Sequence, residues 1–177
     1  MLKCGILKQR CVLKKSLKEK IISYVYKISN QPILFRDLLE ANSHYNENMH
    51  VDSGKLGFKM SIVKAYLVYF ALCALIVMPL IGITHYFLKN MNFHISILGS
   101  VLVTSAVFIG FSFFRAWMRK IITLKLIKKA WIVHFPFFAY EKYNKKVEII
   151  YNESIKQEIQ KKNLQQYIIN KLTEVEE

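Results

Sequence analysis

Residues 65–88 read AYLVYFALCALIVMPLIGITHYFL, and residues 95–114 read ISILGSVLVTSAVFIGFSFF. The six residues KNMNFH, at positions 89–94, separate these two apolar segments. Neither segment contains Asp, Glu, Lys or Arg. As α-helices, the segments of 24 and 20 residues would measure about 36 and 30 Å, and the hydrocarbon core of a bilayer is about 30 Å thick. The two segments therefore predict a transmembrane hairpin.

Other folds for these segments are disfavoured on physical grounds. Backbone amides in lipid must be hydrogen-bonded within the segment or in a closed barrel, and continuous apolar runs favour helices. The alternative is two buried helices in a soluble core, but a chain of 177 residues can hardly cover two helices that are apolar on all sides. We therefore predict an all-α membrane protein, in which a two-helix transmembrane hairpin carries cytoplasmic amphipathic N- and C-terminal helices.

Basic residues around the hairpin predict its orientation. Nine Lys or Arg residues lie near the two outer ends of the spans, whereas the connection holds Lys89 alone. Because Lys and Arg are enriched in cytoplasmic loops, both termini should be cytoplasmic. The bias towards Lys, Ile, Asn and Tyr suggests an AT-rich bacterial genome, so we expect a multi-pass protein of the bacterial inner membrane. The nine residues are Lys55, Lys59, Lys64, Arg115, Arg119, Lys120, Lys125, Lys128 and Lys129.

The overall charge agrees with a membrane location. The chain holds 26 Lys and Arg against 12 Asp and Glu, for a net charge of +14, and 53% of its residues are hydrophobic. No acidic residue occurs between Asp52 and Glu141. A cationic region beside a bilayer attracts anionic lipids by about 1 kcal/mol per basic residue near the surface. Anionic lipid headgroups are therefore an expected partner.

The chain divides into five segments by composition. Residues 1–30 form a basic arm with apolar residues at helical spacing, and residues 31–60 form a short helix and a polar linker. The transmembrane hairpin occupies residues 61–116. A basic and aromatic interfacial segment follows at residues 117–140, and its last apolar run is too short to span a bilayer. Residues 141–177 form a polar amphipathic C-terminal helix.

Two interpretations stay open for each arm. The basic N-terminal helix is suited to an anionic membrane surface, but it is equally suited to packing on other cytoplasmic helices of the chain. The C-terminal helix suits packing on the N-terminal arm or docking on a protein partner. In the interfacial segment, cations and aromatic rings are expected at the level of the headgroups. Together with the cations that border the spans, the predicted interface residues are Lys64, Arg115, Trp117, Arg119, Lys120, Trp131, Phe135, Phe137 and Phe138.

Small side chains recur along one side of the second span at intervals of three and four residues. Such a seam lets another helix approach closely, and close packing drives helix association in lipid. The first span supplies the nearest partner, so packing within the hairpin is sufficient, and a second use in homo-oligomerisation stays open. The predicted helix-packing residues are Ser96, Gly99, Val103, Ala106 and Gly110 in the second span and Ala71 and Gly82 in the first.

No pattern of catalytic or ligand-binding residues is present in the sequence. There is no nucleophile elbow, phosphate-binding glycine loop or zinc spacing, and Cys4, Cys11 and Cys73 have no CxxC or histidine partner. His44 and His50 lie in an Asn-rich stretch where solvated side chains are the simplest interpretation. We therefore expect no metal and no cofactor. Nucleic acid is not expected either, because the cations are mostly Lys and no recognition motif accompanies them.

Three functions are compatible with these features. The first is a non-enzymatic membrane anchor or scaffold subunit that contacts a protein partner or larger assembly through its cytoplasmic helices. The second is a small homo-oligomeric pore, to which the hydroxyl groups of the second span would contribute. The third is a membrane enzyme with a cytoplasmic interfacial site, for which His134 and Glu141 are the available acid and base. The absence of ionisable residues from the spans disfavours a transporter or a proton pump.

Overall fold

The computed structural model describes residues 18–87 and 93–174, without the side chains of residues 83–87 and 93–96. Within this part, the chain is mostly helical, as predicted, and two short strands pair as a sheet. The elements are α1 (described over 18–25), β1 (Tyr26–Ile28), α2 (Phe35–Asn46), β2 (Phe58–Met60), α3 (Ile62–Phe87), α4 (Phe93–His134), α5 (Tyr140–Lys156) and α6 (Leu164–Glu174).

Helices α3 and α4 are long and apolar enough to cross a membrane. Mean hydropathy reaches 2.3 within Ile62–Gly82 of α3 and 2.1 within Ile97–His134 of α4. In each helix, 6% of the most apolar 18 residues are buried by the rest of the chain, whereas a core helix of a soluble protein is mostly buried. By length and composition, the two helices are therefore candidate membrane spans.

Helix α4 continues far beyond the end of the predicted span. Its 42 residues extend over about 63 Å at 1.5 Å per residue, so most of the predicted interfacial segment is part of the same helix. The sequence contains no glycine after Gly110, and the next proline is Pro136. Because a proline disfavours helical backbone in the residue before it, the helix ends at His134.

The chain forms two compact units within its described part. Unit 1 joins residues 18–27 to Met60–Arg119, and unit 2 joins Ile28–Lys59 to residues 120–174. The division falls inside α4, so the apolar part of this helix belongs to unit 1 and its basic end belongs to unit 2.

The core of unit 2 is built from one face of each of four helices. Helix α5 packs against both α2 and α6, and the end of α4 adds its own buried stripe. Along that stripe the apolar residues recur every three to five positions, with lysines between them, as expected for a helix with one buried face. The fully buried side chains of unit 2 include Leu38, Leu39, Leu56, Ile122, Ile127, Trp131, Phe135, Val147, Ile168 and Leu172.

Buried amide groups join α2 to α5. The Asn42 side chain is fully buried, and its Nδ2 atom donates to the carbonyl oxygen of Asn144 at 2.8 Å. One turn later, Asn46 Nδ2 donates to Glu148 Oε2 at 2.8 Å. Since a buried amide without a partner is costly, these two bonds favour one register of α2 on α5.

The segment after α2 is packed, although its polar sequence predicts a linker. Val51, Leu56 and Phe58 are buried in it. Gly57 adopts φ +65°, which L side chains rarely adopt. Its carbonyl accepts a hydrogen bond from the backbone N–H of Ser29 at 2.7 Å. Three apolar side chains therefore hold in place a segment whose composition resembles that of a loop.

The two terminal arms differ from the single helices that were predicted. The N-terminal helix gives way to β1 at Tyr26, where β-branched and aromatic residues favour a strand. At the other end, α5 stops at Lys156 and Glu158 adopts φ 52°, a left-handed helix end. The C-terminal arm is therefore two helices. Their separation coincides with a five-residue shift in the apolar pattern of the sequence, from the stripe of Tyr151, Ile155 and Ile159 to that of Leu164, Ile168 and Leu172. Residues 1–17 and 175–177 of these predicted arms lie outside the described residues.

We expect Leu172→Ala to destabilise unit 2 by about 2–5 kcal/mol, because it leaves a cavity under a fully buried side chain. The matched control is Ile155→Ala on α5, since Ile155 is 57% exposed and surface changes stay within about 0.5 kcal/mol. Thermal unfolding of the detergent-solubilised chain measures both effects. Equal losses from the two variants would contradict the burial of α6.

Candidate functional site

Helices α3 and α4 meet in unit 1 through aromatic side chains. The rings of Tyr66 and Phe111 stack with centroids 3.9 Å apart and planes 10° from parallel. Tyr69 lies edge-on to Phe111 at 5.4 Å and contacts Phe114 at the same distance. The Tyr69 hydroxyl donates to the carbonyl oxygen of Val107 at 2.7 Å. This hydrogen bond satisfies the Tyr69 hydroxyl, which would otherwise be costly in apolar surroundings.

Gly110 is the place where α3 and α4 approach most tightly in this cluster. A Cβ atom added to Gly110 would collide with the Tyr69 hydroxyl oxygen and lie 3.6 Å from its Cζ atom. The absence of a side chain therefore makes room for the tyrosine that bonds to Val107. Gly110 belongs to the predicted small-residue seam, and at this position the Tyr69 side chain of α3 packs against α4.

The other predicted packing residues are positioned differently. Ala71, Gly82, Gly99, Val103 and Ala106 are exposed. Nothing lies within 4 Å of a Cβ atom added to Gly82 or Gly99. The Ser96 side chain lies outside the described residues. The use of this seam for helix packing stays a prediction, and the aromatic cluster around Tyr69 was not predicted. Aromatic residues at Tyr66, Tyr69, Phe111 and Phe114 were a signal for it in the sequence.

Hydroxyl groups on α4 are hydrogen-bonded within the helix. Ser100 Oγ donates to the carbonyl oxygen of Ile97, and Thr104 Oγ1 donates to that of Ser100, both at 2.8 Å. Such bonds to the preceding turn remove the need for a polar partner outside the helix. These two hydroxyl groups are therefore compatible with an apolar environment as well as with water.

Cations and aromatic rings lie together where the apolar part of unit 1 ends. The Lys64 ammonium group is 4.8 Å from the centre of the Tyr24 ring. Arg115 and Trp117 are exposed on α4, and Arg119 is half-buried. The pKa of Tyr26 is raised above its usual value by burial, and the positive charges of Arg119 and Arg115 partly oppose this rise. Lys64, Arg115, Arg119 and Trp117 thus occupy the part of unit 1 that borders the exposed apolar helices.

The aromatic residues predicted for the interface after residue 130 have different environments. Trp131 is 1% exposed and Phe135 is also buried, so unit 2 covers both rings. The Trp131 Nε1 atom donates to the carbonyl oxygen of Phe138 at 2.7 Å. Phe138 is half-buried, whereas Phe137 is 91% exposed. Of the four aromatic residues Trp131, Phe135, Phe137 and Phe138, Phe137 is therefore the one whose ring is accessible.

Lys120, the first residue of α4 in unit 2, has partners within that unit. Its Nζ atom donates to Asn48 Oδ1 at 2.9 Å, and the ammonium group lies 5.9 Å from the centre of the Tyr45 ring. Lys120 is nevertheless exposed. The predicted interface role of Lys120 therefore competes with a contact to the end of α2.

His134 and Glu141, the acid and base considered for an enzyme, have separate structural roles. The His134 Nε2 atom is 2.8 Å from the carbonyl oxygen of Ile33, and its ring lies edge-on to Phe35. Glu141 accepts a hydrogen bond from Lys128 Nζ at 2.6 Å, and this bond lowers the pKa of its carboxyl group. Each of the two side chains thus already has a polar partner within the fold.

Two open grooves flank the end of α4 in unit 2, with volumes of about 390 and 270 Å³. Trp131 and Phe137 line the first groove, and Pro32 and His134 line the second. Within the described residues, no group of three His, Cys, Asp or Glu side chains is arranged to hold a metal ion. The polar side chains Glu141 and His134 at these grooves already have the partners given above.

No protein-family model, no curated protein and no solved structure matches this chain.

We expect Gly110→Ala to destabilise the contact between α3 and α4, because the new methyl group displaces the Tyr69 hydroxyl. The same change in a Tyr69→Phe background should cost much less, since the added Cβ then lies at ordinary contact distance from the ring. A double-mutant cycle of thermal unfolding in detergent measures this coupling. Gly99→Ala is the matched control, as nothing lies within 4 Å of that position. Additive losses from Gly110→Ala and Tyr69→Phe would contradict the collision.

Alkaline pH should weaken unit 2 through Tyr140. Burial, followed by the negative charge of its neighbours, raises the pKa of Tyr140 from 10.0 to about 12. Because the folded chain holds this proton more tightly than the unfolded chain, the stabilisation is complete below pH 10 and is lost towards pH 12. In Tyr140→Phe, stability should fall less over this range. Tyrosinate absorbance of folded and unfolded chain checks the assignment, and an identical fall in both proteins would contradict it.

Proposed function

We propose that this protein is a non-enzymatic integral membrane anchor or scaffold subunit. In this proposal, α3 and α4 cross the bilayer as a hairpin, with both termini and unit 2 in the cytoplasm of a bacterium. The cytoplasmic helices then present the chain to a protein partner or a larger assembly. The observation that carries the proposal is the exposure of two long apolar helices in a chain that elsewhere buries a core.

The exposed apolar surface supports a lipid environment for α3 and α4. Leu75 is 74% exposed, and Ile76, Met78, Leu98, Leu102 and Phe108 are likewise exposed. Contiguous apolar patches on soluble monomers rarely exceed a few hundred Å². Lipid tails cover such a surface without a protein partner, and the internal bonds of Ser100 and Thr104 leave their hydroxyl groups satisfied.

The charge pattern supports the proposed orientation. Lys64 precedes the first apolar stretch and Arg115 follows the second, whereas the connection carries Lys89 alone. Because the more basic ends of the spans stay in the cytoplasm, the connection at residues 89–94 would lie on the outer side of the membrane.

Unit 2 supports a scaffold role because it is a packed helical body with exposed apolar side chains on its surface. Its surface carries the exposed apolar side chains of Ile132, Val133 and Phe137 near the end of α4. Exposed apolar residues that lie close together are frequent at protein contacts. They are the part of unit 2 that we expect to contact a protein partner.

Thiol labelling of intact cells tests the hairpin. In a chain without Cys4, Cys11 and Cys73, Asn90→Cys should react with a membrane-impermeant maleimide added outside. Lys161→Cys, in the exposed segment between α5 and α6, should react only after the membrane is opened. The chain should also stay in the membrane pellet after alkaline washing. Release by the wash, or labelling of Lys161→Cys from outside, would overturn the proposal.

Gentle detergent extraction tests the scaffold role of the same protein. Proteins that travel with the wild-type chain should be lost from Phe137→Ser, a change on the exposed surface, and kept by Ile155→Ser on α5. Vesicles that contain the purified chain should stay tight to small ions. No companion protein in either preparation, together with leaking vesicles, would favour a pore.

A homo-oligomeric pore is the second candidate function. The exposed face that contains Gly99, Val103 and Ala106 favours it, since a second copy is free to approach there. The hydroxyl groups of Ser100 and Thr104 already donate hydrogen bonds within α4, so they do not need the water of a pore lumen as a partner. For this reason we rank the anchor first.

A further inference from the structure

Lys64 and Arg115 lie at the same end of the helix pair in unit 1. Tyr66 stacks on Phe111, and three residues further along α3 the Tyr69 hydroxyl bonds to Val107, four residues earlier on α4. At this contact, the two helices therefore run in opposite directions. Lys64 precedes Tyr66 by about half a turn and Arg115 follows Phe111 by about one turn, so both cations lie beyond the stacked rings.

Neither Lys64 nor Arg115 has an acidic residue near it in the sequence. The sequence has no Asp or Glu between Asp52 and Glu141. Lys64 and Arg115 are exposed, and among the described residues neither forms an ion pair with an acidic side chain. Lys64 instead faces the Tyr24 ring at 4.8 Å. Two cations are thus available to an external anion.

Exposed apolar and aromatic residues are the neighbours of these two cations along the helices. Val63 and Leu67 are exposed beside Lys64, and Phe113 is exposed two residues before Arg115. Trp117 is exposed one half-turn after Arg115, and its ring is 6.3 Å from that of Phe114. Tyr and Trp rings at the end of an apolar surface are characteristic of the headgroup level of a bilayer. An anion bound here would therefore lie at a boundary between apolar and aqueous surroundings.

We propose that Lys64 and Arg115 bind the headgroup phosphate of an anionic phospholipid. This inference rests on the proposed membrane location of α3 and α4. The Arg115 guanidinium group donates in a planar fork that matches two phosphate oxygens, and Lys64 adds a compact charge. The neighbouring Val63 and Phe113 contact the acyl chains. A soluble anion would satisfy the cations but would leave those apolar side chains in water, which is why the lipid is favoured.

Thermal unfolding of the full-length chain in neutral detergent tests the proposal. Added phosphatidylglycerol should raise the unfolding temperature, by on the order of 5 °C at saturation, whereas phosphatidylcholine should not. The double variant K64Q/R115Q should lose this difference. The matched control K161Q/K162Q removes the same charge from the exposed segment between α5 and α6 and should keep the difference. Arg115→Lys, which keeps the charge and loses the planar fork, should retain only part of it.

The outcomes separate this inference from the proposed function. Equal stabilisation by the two lipids, or an unchanged lipid difference in K64Q/R115Q, would overturn the inference while the hairpin still resists alkaline washing. The same stabilisation by inorganic phosphate or by a DNA duplex would overturn the choice of a lipid. If K64Q/R115Q does not fold, the wild-type lipid comparison and Arg115→Lys decide: no preference in the wild type, or a full preference in Arg115→Lys, overturns the proposal. Release of the wild-type chain from membranes would overturn both the inference and the proposed function.

Discussion

The need of two long apolar segments to satisfy their own backbone hydrogen bonds is the constraint on which the rest of this structure depends. A segment with apolar side chains on every side cannot rely on solvent for its N–H and C=O groups, and an α-helix satisfies them internally. Helices α3 and α4 meet this requirement over their apolar lengths, and the hydroxyl groups of Ser100 and Thr104 follow the same rule. What the helix cannot supply is a cover for its side chains, and the membrane is the simplest cover.

Helix α4 is one continuous element with two different surroundings. Up to Phe114 it contains no Asp, Glu, Lys or Arg, and most of the side chains described in residues 97–114 are exposed. From Ile122 onwards, apolar residues recur on one face with lysines between them, and that face is buried in unit 2. An uncharged apolar run and a run with one apolar face are both compatible with an α-helix. The helix therefore continues from the first pattern into the second without a break. The end of the helix at His134 is set by Pro136, and Trp131 bonds to Phe138 across the turn that follows.

The contact between α3 and α4 depends on a polar group in apolar surroundings. The Tyr69 hydroxyl is tolerated because Val107 accepts its hydrogen bond and because Gly110 leaves space for it. Stacked rings on either side give a large contact area with few rotatable bonds. An aromatic contact of this kind stabilises one pairing of the two helices without a continuous seam of small residues. It also brings Lys64 and Arg115 to the same end of unit 1.

The sequence by itself determined the two apolar stretches, their length and the cations that border them, because hydropathy and charge are properties of local sequence. It also marked the shift in the apolar stripe where α5 and α6 separate. Only the tertiary structure decided that Val51 and Leu56 fold a polar segment into unit 2, and that Trp131 and Phe135 are covered while Phe137 is not. Only the tertiary structure showed that α3 approaches α4 closely at Gly110, through Tyr69, while nothing lies within 4 Å of a Cβ atom added to Gly82 or Gly99. The physical reason is that composition states how much apolar surface a segment has, whereas which neighbour covers that surface depends on residues far away in the chain.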